Sequence, residues 1–227
     1  MNMHSSIPPF KTEALLVKAL THRSALNEQN GSATESNERL EFLGDAVLEL
    51  ITTEFLFEKF PKKPEGILTA YRSALVKTTT LAKIATKLGL GDALFMSKGE
   101  EATGGRTNPG LLADTMEAVI GALYLDQGFD VVRTFLVAEL FTEIDTILEN
   151  KLYKDPKSHL QEVVQSLGFD TPVYQVITEK GPDHDKEFTV QVVVGDKPVA
   201  SGKGTSKQRA QQNAAEQALK KYPAIEE

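Results

Sequence analysis

Between residues 10 and 150, apolar side chains recur at intervals of three and four, the spacing that places them on one face of an α-helix. Pro61 and Pro64 interrupt this spacing, and Asn108-Pro109 joins a helix-capping residue to a proline at the first helical position. The pattern predicts an all-α segment with main helices at 15–20, 40–60, 67–88, 111–125 and 131–148.

The pattern changes at Lys151, where a short polar segment begins that ends in Pro156. Beyond it, helical spacing and alternating, Val-rich stretches predict a helix, two strands, a weaker third strand and an Ala-rich helix, at 156–168, 173–179, 187–194, 197–204 and 206–222. We therefore expect an all-α N-terminal domain at 1–150, a linker at 151–155 and a small α+β domain of order α-β-β-β-α at 156–227.

The composition restricts the class of protein. A hydrophobic fraction of 41% suffices for a buried core. No apolar run approaches the roughly 20 residues that cross a bilayer, and the N-terminus lacks the apolar stretch of a secretion signal. We therefore expect a cytoplasmic protein without membrane contact. The absence of cysteine excludes disulfides, thiolate metal sites and thiol nucleophiles, and with only four scattered histidines any metal ion is expected to take oxygen ligands.

The excess of acidic residues is confined to the first domain. Residues 1–150 carry 14 Lys and Arg against 21 Asp and Glu, whereas residues 151–227 carry 11 of each. A net charge of -7 argues against a nucleic-acid partner, because phosphate backbones attract basic surfaces. The even balance of the second domain removes that objection there.

Carboxylates stand among large apolar residues in two of the predicted helices. Glu38, Glu41 and Asp45 are three and four residues apart and so form one column on a helix. Asp114 and Glu117 form a similar pair. We expect Glu41, Asp45, Asp114 and Glu117 to converge where the two helices meet. Desolvated carboxylates raise one another's pKa values and cannot all stay ionised without a compensating cation.

A hard divalent cation would supply that compensation, and with oxygen ligands Mg²⁺ or Mn²⁺ fits best. The alternative is that the acids lie on a solvated helix face, as most charged helix positions do. That alternative is weakened because residues 40–56 offer few other polar groups for a wet face. Gly44, which costs roughly 1 kcal/mol relative to Ala in mid-helix, indicates either a close approach of backbone or substrate or tight helix packing.

Two segments carry a resemblance to a known family. Residues 37–45, NERLEFLGD, resemble the signature of the ribonuclease III family, and residues 112–122, LADTMEAVIGA, resemble its second acidic helix. The resemblance extends over nearly the whole chain. It implies that the metal ligands are Glu41, Asp45, Asp114 and Glu117. It also implies that Asp45 and Glu117 lie closest to the chemistry.

The same resemblance implies roles for three further residues. Glu38 and Glu65 fall at acidic positions that the family uses to organise the site or to engage RNA, although from the sequence alone Glu65 is better explained as a helix N-terminal acid favoured by the dipole. The family acts as a homodimer, in which an aromatic residue of the signature enters a pocket on the other subunit. Phe42 occupies that position, where sequence alone would favour an ordinary core residue.

The second domain resembles a double-stranded RNA-binding domain, through its α-β-β-β-α order and residues 202–215, which lead into the last helix. Lys207 and Arg209 at a helix N-terminus combine cations with free backbone N–H groups, which suits phosphate. Positions at which such domains contact successive minor grooves are occupied by Gln161, Glu162 and His184. Gln208 stands where a second Lys or Arg is common, so we expect weaker RNA binding with a flatter salt dependence.

Together these features imply a homodimeric, Mg²⁺-dependent endoribonuclease specific for double-stranded RNA. It would leave 5′-phosphate and 3′-hydroxyl ends with short 3′ overhangs, and would process ribosomal precursor, messenger or small RNAs. One alternative is a non-catalytic RNA-binding protein whose acidic domain only dimerises, against which the complete set of acids argues. Another is a di-iron carboxylate bundle, which pairs Glu with a His three residues later; neither acidic helix contains such a His.

Overall fold

The computed structural model describes residues 7–27, 35–182 and 186–221. By its internal contacts the chain divides into two units, 1–153 and 154–227, so that the division falls inside the segment predicted as a linker. No helix in the described ranges is long and apolar enough to cross a membrane.

The first unit is helical, as the apolar spacing predicts. Its α-helices are α1 (Glu13–Ala19), α2 (Glu38–Lys59), α3 (Glu65–Val76), α4 (Thr78–Lys87), α5 (Leu90–Ala93), α6 (Lys98–Ala102), α7 (Pro109–Gln127), α8 (Phe129–Glu139) and α9 (Glu143–Glu149). Short 3-10 helices occupy Arg23–Asn27 and Gly105–Thr107. The core of the unit is formed around α7, which packs against α1, α2, α4 and α8.

Helix α7 begins at the predicted signal. Asn108 accepts hydrogen bonds from the backbone N–H groups of Gly110 (2.8 Å) and Leu111 (3.4 Å), and Pro109 takes the first helical position, where no N–H is needed. Within residues 112–123 every side chain or glycine is buried except at Asp114 and Glu117. The two acids therefore interrupt an otherwise apolar helix at the surface of the core.

Two of the predicted helices are each broken into a pair. The stretch 67–88 divides at Lys77, whose extended backbone (φ -62°, ψ 149°) ends α3 and precedes α4, and the Thr80 hydroxyl donates to the carbonyl of Ala74 across the turn (2.9 Å). The stretch 131–148 divides at 140–142, where Phe141 turns inward and stacks on Phe55. Periodicity hides both turns, because the helices on either side bury apolar faces in the same core.

The second unit has the predicted α-β-β-β-α order, with α10 (Pro156–Ser166), β1 (Val173–Lys180), β2 (Glu187–Val194), β3 (Lys197–Gly204) and α11 (Lys207–Leu219). The sheet is antiparallel, with β2 in the middle. Leu160, Val192 and Ala214 are fully buried in a core shared by α10, the sheet and α11. A Cβ on Gly202 would lie 2.2 Å from the backbone nitrogen of Ala214, so α11 rests directly on β3.

Candidate active site and RNA-binding residues

Helices α2 and α7 touch through their backbones at a pair of glycines. A Cβ on Gly44 would lie 1.8 Å from the carbonyl oxygen of Glu117, and a Cβ on Gly121 would lie 2.2 Å from that of Leu40. No side chain larger than hydrogen fits either position. Gly44 therefore permits the close approach of another backbone, that of α7, and this approach is also what packs the two helices tightly. The contact brings acids of α2 next to acids of α7.

Three carboxylates meet beside this glycine contact. Glu41, Asp114 and Glu117 each offer a carboxylate oxygen, and these oxygens lie within 4.8 Å of one another. All three side chains are partly buried, and oxygens so close could share one hard cation. Asp45 is exposed and lies outside this group of three, although its charge acts on Glu117. The structure thus brings together three of the four predicted ligands.

Burial raises the pKa values of all three acids, and repulsion by neighbouring carboxylates raises those of Glu41 and Glu117 further. The pKa of Glu117 is raised to about 7, chiefly by burial and further by the charges of Asp45, Asp114, Glu41 and Glu49. The pKa of Glu41 is raised by burial and then by Asp114. Burial also raises the pKa of Asp114, whereas nearby His22 lowers it. The three carboxylates therefore lack a compensating positive charge, as expected of a site that binds a cation.

The two supporting acids lie outside the group of three. Glu38 is exposed at the start of α2, where it accepts a hydrogen bond from the Ser36 hydroxyl (2.8 Å) and lies 3.6 Å from the Arg23 guanidinium. Glu65 is the first residue of α3 and accepts a hydrogen bond from the Thr69 hydroxyl (3.0 Å). The position of Glu65 agrees with that of a helix N-terminal acid.

The acidic column continues one turn beyond the residues singled out in the sequence. Glu49 follows Asp45 by four residues and contributes to the raised pKa of Glu117. Its carboxylate lies 2.8 Å from the guanidinium of Arg72, which also donates to the hydroxyl of Thr53 (2.9 Å). The spacing of Glu49 could have identified it. Its pairing with Arg72 depends on the packing of α3 against α2 and could not be read from the sequence.

Phe42 is the most exposed large apolar side chain in the described residues, with 82% of its surface accessible. It lies on α2, between the acids Glu41 and Asp45. A core role within its own chain is therefore wrong for this residue. The exposure leaves Phe42 free to contact a second subunit.

The predicted RNA-binding residues that are described lie at the surface of the second unit. Gln161 and Glu162 are exposed on α10. Arg209 is exposed on α11, and its backbone N–H is capped by the Ser206 hydroxyl (3.1 Å). Lys207 is engaged by an acid, since its ammonium lies 2.7 Å from Glu179. His184 lies outside the described residues.

Comparison with known proteins gives matches to both units. A family model described as Ribonuclease-III-like matches residues 12–144, and one described as a double-stranded RNA binding motif matches residues 156–222. Ribonuclease 3 of Geobacillus thermodenitrificans is 49% identical over 217 residues, which are 96% of this chain and 88% of the relative. Ribonuclease 3 of Desulforamulus reducens is 46% identical over 90% of this chain and 83% of the relative.

Solved structures agree for the first unit. One of them is the nuclease domain of ribonuclease III from Campylobacter jejuni, which is 46% identical to this chain. That structure is reported to show flexibility in a region involved in dimer formation. It superposes with a TM-score of 0.54 and covers 59% of this chain and 90% of its own. The acidic helices, the α-β-β-β-α unit and these matches agree, and the chain belongs to the ribonuclease III family of metal-dependent, double-stranded-RNA-specific endoribonucleases that act in RNA processing.

Proposed function

We propose that Glu41, Asp114 and Glu117, joined by Asp45, hold Mg²⁺ for the hydrolysis of double-stranded RNA, and that Mn²⁺ can replace it. The observation that carries this proposal is the approach of three carboxylates to within 4.8 Å at the contact of α2 and α7. Their donor atoms are all oxygens, which hard cations prefer. The raised pKa of Glu117 supports the proposal, since a bound cation would offset the repulsion.

The reaction is in-line attack of water on a backbone phosphorus, with departure of the 3′ oxygen. The products carry 5′-phosphate and 3′-hydroxyl ends. A hard divalent cation supplies polarisation of the phosphoryl oxygen and activation of the attacking water. Asp45 and Glu117 lie closest to the chemistry, and exposed Asp45 is accessible to substrate at the edge of the site. Glu38 and Glu65 organise the site or engage RNA.

The active unit is a homodimer in which Phe42 enters a pocket on the partner subunit. Its 82% exposure supports this role, because an isolated phenyl ring in water is costly unless a partner covers it. Two sites related by a two-fold axis would cut the two strands of one duplex and leave short 3′ overhangs. We propose that the enzyme acts in the cytoplasm, which its lack of cysteine suits.

The RNA-binding face comprises Gln161, Glu162, Lys207 and Arg209, and His184, which lies outside the described residues, stays a predicted contact. Exposed side chains on α10 suit contact with 2′-hydroxyl groups in the minor groove, which distinguish RNA from DNA. Cations at the start of α11 suit phosphate.

The carboxylate site is tested with Glu117→Ala in the full chain. The variant should bind duplex RNA in chelator as the unaltered protein does, but should not cleave it when Mg²⁺ is added. Glu13→Ala, which removes an exposed acid of α1, is the matched control and should cleave normally. Mapping of product ends should give 5′-phosphates and 3′ overhangs.

Two results would contradict the assignment. One is near-normal cleavage by Glu117→Ala at saturating Mg²⁺. The other is cleavage by the unaltered protein that persists in chelator. Duplex binding without any cleavage by the unaltered protein would favour the non-catalytic alternative.

A further inference from the structure

A polar cleft of about 430 Å³ lies in the second unit where α10, α11 and the start of β1 meet. Its lining includes Asp155, Lys157, Gln161, Tyr174, Gln208 and Gln212. Gln161 is one of the proposed RNA contacts, so the cleft is continuous with the RNA-binding face. Only Asp155 and Lys157 among the lining residues carry a charge.

The negative charge of Asp155 is already engaged. Its carboxylate caps α10 by accepting from the backbone N–H groups of Lys157 (3.1 Å) and Ser158 (3.0 Å). It also accepts a hydrogen bond from the Gln212 side chain (3.3 Å). Tyr174 adds no charge, because a phenol is neutral near pH 7, and burial raises the pKa of its hydroxyl further, to about 12.

The ammonium of Lys157 has no carboxylate partner among the described residues. It donates to the side-chain oxygen of Gln211 (2.7 Å) and lies 5.0 Å from the ring centroid of Tyr174. Lys203, by contrast, is paired with Glu187 (2.9 Å), and Lys207 with Glu179 (2.7 Å). An ammonium has three N–H donors, and since Gln211 takes one of them, Lys157 has donors left for an anion.

We propose that Lys157 binds a phosphodiester of the RNA backbone and supplies from α10 a positive charge that α11 lacks at Gln208. Gln211 holds the ammonium beside α11, and Gln208 lines the same cleft. The aromatic face of Tyr174 stabilises the cation in place. The proposal rests on the function assigned to this unit, since the ligand is the duplex that the unit binds.

The test measures binding of the full chain to a blunt RNA duplex longer than the roughly 16 base pairs that such a domain spans. Fluorescence anisotropy is recorded in chelator, which prevents cleavage, over a series of KCl concentrations. Lys157→Gln should weaken binding by about threefold to tenfold and make the slope of log K against log[KCl] shallower by about 1. Lys157→Arg should keep both. Lys220→Gln, which removes an exposed lysine held by Gln217 at the far end of α11, should change neither.

A charge exchange separates a phosphate contact from a structural role. Because the Lys157 nitrogen and the Gln211 oxygen are 2.7 Å apart, the double variant K157Q/Q211K moves the ammonium to the neighbouring helix without removing it. The double variant should restore the slope of log K against log[KCl] that Lys157→Gln loses. This recovery should not depend on whether the two variants differ in melting temperature. An unchanged slope in folded Lys157→Gln, or no recovery in the exchange, would overturn the proposal. Absence of duplex binding by the unaltered protein would instead contradict the RNA-binding function itself.

Discussion

Glu117 links the stability of the metal-free protein to pH. Its pKa is about 7 in the folded chain against an ordinary value of 4.5, so between these values the folded state holds a proton that the unfolded chain has released. Stability should therefore fall as pH rises from about 4.5 to about 7. Glu117→Gln has no such proton to lose. Its free energy of unfolding, relative to that of the unaltered protein, should therefore rise by roughly 1–2 kcal/mol between pH 4 and pH 8, a value reduced to allow for the partial exposure of Glu117.

Urea unfolding in chelator at the two pH values measures this difference. Added Mg²⁺ should reduce it, since a bound cation stabilises the ionised carboxylate. A pH-independent effect of Glu117→Gln would contradict the raised pKa of Glu117 in the folded protein, whether from burial or from repulsion.

Glu49 and Arg72 extend the same electrostatics. Glu49 raises the pKa of Glu117, and Arg72 partly neutralises Glu49 at 2.8 Å. Glu49→Gln should lower the pKa of Glu117, and Arg72→Met should raise it, in carboxyl ¹³C NMR titrations of the metal-free protein. Adding Glu49→Gln to Arg72→Met should cancel the rise. Shifts of the same sign in both single variants would mean that the pair acts by packing instead of charge.

At the scale of elements, the glycine contact between α2 and α7 holds the site together. Gly44→Ala would place a methyl group 1.8 Å from a backbone oxygen of α7, so the helices must separate. We expect a loss of about 3 kcal/mol or more in the free energy of unfolding. Gly66→Ala in α3 is the matched control, because nothing lies within 4 Å of its added Cβ, and it should stabilise by roughly 0.5 kcal/mol. Thermal melts of the two variants compare them, and equal effects would contradict backbone contact at Gly44.

The elements also show what local sequence can predict. The start of α7 at Asn108-Pro109 follows from a cap and a proline, which act within a few residues. The turns at Lys77 and Phe141 do not follow, because apolar spacing continues across them and the inward turn of Phe141 is stabilised by Phe55, far away in the chain. Single-helix predictions there were wrong for that reason.

The same distinction applies to the site. Glu41, Asp114 and Glu117 could be predicted to converge, because helical spacing puts each on a face that would otherwise be apolar. The detachment of Asp45 from the group of three depends on the angle and depth of the helix contact. No pattern along a single helix encodes either quantity.

For the whole molecule, Phe42 should decide the oligomeric state. Phe42→Asp places a charge where the proposed interface must exclude water, so the dimer should dissociate at concentrations at which the unaltered chain remains dimeric. Sedimentation velocity measures this, and Val137→Asp, at an exposed apolar position on α8, should leave the dimer intact. Phe42 adjoins Glu41 in the chain, so circular dichroism must first show that Phe42→Asp is folded. A folded monomer has a single site, so its residual cleavage should nick one strand where the dimer cuts both. A Phe42→Asp protein that stays dimeric and cuts both strands would place the interface elsewhere on the first unit.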